Sequence, residues 1–159
     1  MAAAHNRVNN DVLRAVRYML DLSDVKVVDL FKLADCIVSK EEVLAFQKRE
    51  DEDGFIECSD ELLARFLDGL IYFRRGKDES RPAIPLELPL YNNAILKKLR
   101  VAFELKEEDL LLIMQSVDFR ISKPELSAFF RSPDHKNYRR CGDQFLRNFL
   151  KGLTLRLRP

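Results

Sequence analysis

Shifting the chain against itself by 83 positions aligns residues 10–75 with residues 93–158 without a gap, and 19 of the 66 aligned pairs are identical. The matches come in blocks. Asn10, Leu13 and Arg17 fall on Asn93, Leu96 and Arg100; Ser39, Lys40 and Glu42 fall on Ser122, Lys123 and Glu125; Ala45-Phe46 falls on Ala128-Phe129, and Cys58 on Cys141. The last block is the densest: Asp60, Leu63, Phe66-Leu67 and Gly69-Leu70 fall on Asp143, Leu146, Phe149-Leu150 and Gly152-Leu153. Shared helical composition scatters leucines, but it does not bring Cys, Gly and a capping Ser to one fixed offset. The fold must therefore be one small unit built twice.

Each unit reads as four helices. Residues 10–20 place Leu13, Val16 and Leu20 on one face, with Asn10 read as the N-cap. Residues 24–34 carry Val27, Val28, Leu30 and Phe31. The third helices, expected over 39–49 and 122–131, open with Ser39-Lys40-Glu41-Glu42 and Ser122-Lys123-Pro124-Glu125, each a capping box in which Ser and Glu satisfy one another's backbone N–H groups. Pro124 is compatible because it lies in a first turn. The fourth helices, over 59–74 and 142–157, carry an apolar stripe wide enough for a central position. Gly69 and Gly152 sit inside these patterns, where glycine costs about 1 kcal/mol relative to alanine, so the two fourth helices are expected to meet there. Five glycines, no Trp and abundant Leu, Glu, Lys and Arg agree with an all-α fold.

Residues 76–92 hold three of the six prolines, which excludes a helix. Ile84, Leu86, Leu88 and Tyr91 are expected to hold this segment, extended, against the surface. The expected organisation is a first helical unit over 1–75, a linker over 76–92 and a second unit over 93–159, sharing one core about an approximate two-fold axis.

Three stretches resemble the YehS-like family of small bacterial proteins: Gly69-Leu70-Ile71-Tyr72 through Arg75-Gly76-Lys77-Asp78-Glu79-Ser80, Asn92-Asn93 through Leu96-Lys97-Lys98-Leu99-Arg100, and the specific run Pro133-Asp134-His135-Lys136-Asn137-Tyr138-Arg139-Arg140-Cys141-Gly142-Asp143-Gln144-Phe145-Leu146-Arg147. The resemblance covers about residues 9–157. It implies a bacterial cytosolic protein with a duplicated helical domain and transfers no catalytic or binding residues.

Charge is the most informative functional feature. The whole chain carries only +1, but residues 10–75 hold ten Lys/Arg against fifteen Asp/Glu, net −5, and residues 93–158 hold fourteen against eight, net +6. Either the halves attract each other, or another copy of the chain, or the basic half serves a phosphate-bearing or acidic partner. Within the basic half Arg131, His135, Lys136, Arg139 and Arg140 crowd around Tyr138 just before the last helix, whose first amides favour anions. These five are the candidate partner-binding residues.

Other chemistry has less support. Cys58 and Cys141 precede the fourth helices, where a thiol can be activated, but no His accompanies both, and each reads as a small buried apolar residue. Cys36 falls on Phe119 and reads as core. Three cysteines without CxxC spacing and two isolated histidines, His5 and His135, provide no metal set, and no cofactor motif appears. Glu50-Asp51-Glu52-Asp53-Gly54 fails the spacing of a calcium loop: Arg49 stands at its first ligand position and Asp60 at its last. The second and third helices are spaced like a helix-turn-helix, yet the third helices balance Lys and Arg with Glu or are mostly apolar. No run approaches the ~18 apolar residues of a membrane span, and the start of the chain lacks a signal-peptide pattern, so a cytoplasmic location is expected. These features favour a non-enzymatic helical adaptor or regulator with a protein partner. The alternative is nucleic-acid binding through the basic C-terminal half.

Overall fold

The computed structural model describes residues 8–159; the expectations for the start of the chain and for His5 lie outside the described residues. Eight helices and no strand occur among the described residues. The first unit contains α1 (Asn9–Met19), α2 (Asp24–Leu33), α3 (Lys40–Phe46) and α4 (Asp60–Arg75). The second contains α5 (Asn92–Ala102), α6 (Glu107–Gln115), α7 (Lys123–Ala128) and α8 (Asp143–Leu157). Both capping boxes form: Ser39 accepts from the Glu42 amide and Ser122 from the Glu125 amide, and each glutamate accepts from its serine's N–H.

The duplication extends to backbone detail. Asp35 and Asp118 close α2 and α6 in left-handed conformations of φ 58° and 56°. In each copy the next residue's N–H reaches back into the helix, from Cys36 to Phe31 O and from Phe119 to Met114 O, the pattern of a Schellman stop. The third helices are shorter than expected for a physical reason. The returning loop takes their last carbonyls, with Ile56 N donating to Ala45 O and Arg139 N to Ala128 O, so a further turn cannot form.

The units interlock. In each unit the fourth helix lies against its own second helix, and its other face meets the first helix of the opposite unit: α4 on α5, and α8 on α1. One buried cluster consequently runs through both units, with Leu13, Phe31, Phe46, Leu63, Phe66 and Leu67 from the first continuous with Ile95, Leu96, Leu99, Leu146, Phe149 and Leu153 from the second.

The glycines correct an expectation. A methyl group at Gly69 would stand 1.8 Å from Leu30 O, and one at Gly152 would stand 2.5 Å from Ile113 O. Both glycines serve the approach of the fourth helix to its own second helix, not to the other fourth helix. The linker also differs in detail. Ile84 and Leu86 are half-buried, but Leu90 is the buried anchor, while Leu88 is 52% exposed and Tyr91 is also exposed. Leu90 N donates to Asp60 Oδ2, and Ile84 N donates to the Tyr72 hydroxyl.

Inter-unit ion pairs follow the charge asymmetry. Lys98 meets the buried Asp68, Arg147 meets Asp11, and Arg158 meets Asp21, each a cation of the basic half on an anion of the acidic half. Arg75–Glu104 runs the opposite way and is the two-fold counterpart of Arg158–Asp21. Part of the asymmetry is thus used within the chain.

The glycine contacts generate a direct expectation. Gly69→Ala gains about 1 kcal/mol of helix propensity but forces overpacking that costs roughly 1–3 kcal/mol, more where backbone is struck. Urea unfolding should therefore show a lower midpoint for Gly69→Ala and a smaller decrease for Gly152→Ala. A raised midpoint in either variant would contradict the close approach.

Candidate partner-binding groove

Asn10 is not a cap. The helix begins one residue earlier, and Asn10 is 4% exposed inside it. Its Nδ2 donates to Phe46 O and to Ile56 O, and its Oδ1 accepts from Cys58 N. Asn93 repeats the arrangement, donating to Phe129 O and Arg139 O and accepting from Cys141 N. The preceding asparagines add a second stitch: Asn9 donates to Cys58 O and Asp60, and Asn92 to Cys141 O and Asp143. Each Asn-Asn pair thereby joins the end of the third helix, the returning loop and the start of the fourth helix.

The clamped helix and loop form the two walls of a groove in each unit. In the second unit the groove, about 490 Å³, is lined by Pro124, Glu125 and Ala128 on one side and by Arg131, Lys136, Tyr138 and Arg139 on the other. In the first unit the equivalent groove, about 670 Å³, is lined by Glu41, Glu42, Ala45, Lys48, Glu52, Gly54 and Ile56. Arg131 replaces Lys48, Arg139 replaces Ile56, Pro124 replaces Glu41, and His135 stands where Glu52 stands. One scaffold thus presents a cationic groove in one copy and an acidic groove in the other.

Of the five candidate residues, Arg131, Lys136 and Arg139 share the groove, and His135 sits beside Arg131. Arg140 turns away, its guanidinium 4.6 Å from the centre of the Tyr91 ring. The start of α8 is not part of the groove, and its first turn already holds the Asp143 carboxylate, which accepts from Asn92.

The chemistry of His135 fixes its neighbour's role. Asn137 N donates to His135 Nδ1 at 3.0 Å, so Nδ1 is an acceptor and Nε2 carries the hydrogen in the neutral ring. Arg131 Nη1 lies 3.4 Å from that Nε2. In that tautomer both groups are donors, so neither satisfies the other. Neither Arg131, Lys136 nor Arg139 forms an ion pair among the described residues. Glu125 is the opposing charge on the far wall. The Ser122 N–H and hydroxyl and the nearby Arg139 hold its carboxyl below the usual range.

A larger recess of about 750 Å³ between α6 and α7 is lined by Arg120 and Lys123 together with Asp118 and Glu125. Its charges balance, so it selects no charged ligand. The cysteines lie behind the clamps. Burial, followed by the neighbouring carboxylates of Asp60 and Asp143, pushes the Cys58 and Cys141 thiols up to about 12. At neutral pH they are protonated small apolar groups. Among the described residues no group of three or more His, Cys, Asp or Glu side chains could hold a metal ion, and no helix is long and apolar enough to cross a membrane.

These features define a class: a duplicated helical protein whose two copies carry the same clamped groove with opposite charge. The chain belongs to the family described as "Protein of unknown function (DUF1456)", which matches residues 9–76 and again residues 92–158. It is 49% identical over 149 residues to the "Uncharacterized protein YehS" of Escherichia coli (strain K12), covering 94% of this chain and 96% of that protein. No solved structure matches it.

Two outcomes are expected. Asn10→Ala leaves Phe46 O, Ile56 O and Cys58 N without their partner in a buried place, at about 1–3 kcal/mol per unsatisfied group. Asn93→Ala should cost less, because water reaches its half-buried site. Denaturant unfolding of the two variants checks the order; equal, small losses would contradict the clamp. In the native protein at neutral pH, Cys58 and Cys141 should also alkylate far more slowly than free cysteine. Mass spectrometry of labelled peptides reads this directly, and rapid labelling of either residue would contradict the burial.

Proposed function

We propose that this protein is a non-enzymatic adaptor or regulator, and that the groove of its second unit binds an acidic segment of a protein partner. The carrying observation is the gathering of Arg131, Lys136 and Arg139 in one groove, with His135 beside Arg131. Charge-assisted hydrogen bonds to such donors are stronger than neutral ones, and a carboxylate can accept more than one of them. The buried, protonated cysteines support a role without covalent catalysis.

The acidic groove of the first unit supports a protein partner over nucleic acid. A long polyanion drawn to Arg131 and Arg139 would be repelled by Glu41, Glu42 and Glu52 of the same rigid molecule. A short acidic segment avoids this repulsion. The short third helices further weaken a helix-turn-helix route, since α7 spans six residues.

Titration with a fluorescent Glu/Asp-rich peptide tests the proposal. Binding should weaken as ionic strength rises. Arg131→Glu with Arg139→Glu should reduce affinity at least tenfold, as the loss of charge-assisted hydrogen bonds of roughly 1.5–3 kcal/mol each requires. Lys48→Glu in the equivalent groove should leave it unchanged. Absence of peptide binding at low salt would overturn the proposal. Tight, steeply salt-dependent binding of RNA or DNA that vanishes in the double variant would replace it with the nucleic-acid alternative.

A further inference from the structure

The chain carries its own acidic segment of suitable form. Residues 49–54 form an exposed turn beside the acidic groove, with Glu50, Asp51, Glu52 and Asp53 in succession. The turn is held in shape by its own bonds. Glu52 N donates to Arg49 O, Arg49 N donates to Glu52 Oε1, and Lys48 Nζ donates to Asp53 O. Arg49 also pairs with Asp51 and Glu52, while Glu50 and Asp53 form no ion pair among the described residues. No ion pair joins this turn to the basic groove of the same chain among the described residues. The complementary charges are fixed to separate units by separate clamps.

We propose that the basic groove takes the acidic turn of a second copy of this chain. The inference rests on the reading of that groove as a site for acidic segments, and it names the partner. Charge complementarity carries it: four carboxylates offset by Arg49 on the turn meet Arg131, Lys136 and Arg139, with His135 beside them, offset by Glu125 and Asp134. Glu50 and Asp53 supply the carboxylates, and the guanidiniums of Arg131 and Arg139 receive them. A turn already ordered in the free chain loses little conformational freedom on docking. Each copy offers one turn and one groove, so every contact is between unlike surfaces.

Sedimentation velocity on the full chain tests this at low and high salt. The wild type should associate reversibly at low salt and dissociate at high salt. Two charge-reversed variants separate the surfaces: Glu50→Lys with Asp53→Lys on the turn, and Arg131→Glu with Arg139→Glu in the groove. Each alone should remain monomeric, and an equimolar mixture should associate again, because the reversed turn now fits the reversed groove. The Glu/Asp-rich peptide should also dissociate the wild-type assembly, a measurement that needs no variant to fold. A wild type that stays monomeric at low salt while still binding that peptide overturns this inference and leaves the function intact; failure of both overturns both. Association that persists in the variants, or a mixture that stays monomeric, also overturns it.

Discussion

A single amide in each unit, buried at Asn10 and half-buried at Asn93, holds the architecture together. Asn10 and Asn93 each bond three backbone groups that are distant from the asparagine in sequence and have no secondary-structure partner. Buried backbone groups must be paired, and these belong to a short third helix and an irregular loop that cannot pair them alone. The clamp therefore permits a helix of six or seven residues to end abruptly and a loop to return beside it. The groove between them is a consequence of that bond set. Because the bonds use only backbone atoms on the far side, the groove's own side chains are free to change, and the two copies have diverged to opposite charge on an unchanged frame.

The same frame explains how two small units make one stable body. Neither unit covers its first or fourth helix alone, and reciprocal packing of α1 on α8 and α4 on α5 joins their cores. Lys98–Asp68, Arg147–Asp11 and Arg158–Asp21 lie along these contacts. Burial pushes the Asp68 carboxyl up while the Lys98 ammonium opposes it, a pairing with no equivalent in the other interface, where Ala15 and Lys151 occupy the matching positions. The units are thus similar in backbone and unlike in electrostatics, and part of the charge of each is displayed at its groove.

Much of the fold was legible because its signals are local. The offset, the capping boxes and the apolar stripe of the fourth helices each depend on neighbouring residues. The errors concerned partners distant in sequence. Asparagine at the start of a helix reads as a cap, since nothing nearby reveals that its amide reaches Phe46 and Ile56. A costly glycine announces a close approach but not the element that approaches, so nothing near Gly69 in sequence singles out α2 over α8. The basic cluster was visible in residues 131–140, yet Arg140 could not be separated from Arg139 until the chain's path turned it towards Tyr91. The acidic counterpart is hard to read because loops 47–57 and 130–140 share only Asp51 with Asp134, although the fixed offset pairs them.

Two equivalent grooves of opposite charge should differ in what they attract, and amide chemical shifts followed by NMR during titration with an acidic peptide test this residue by residue. Shifts should concentrate in residues 123–140 and saturate together, with residues 40–47 of the acidic groove unmoved. Shifts centred on residues 40–47, or spread evenly over both grooves, would contradict this.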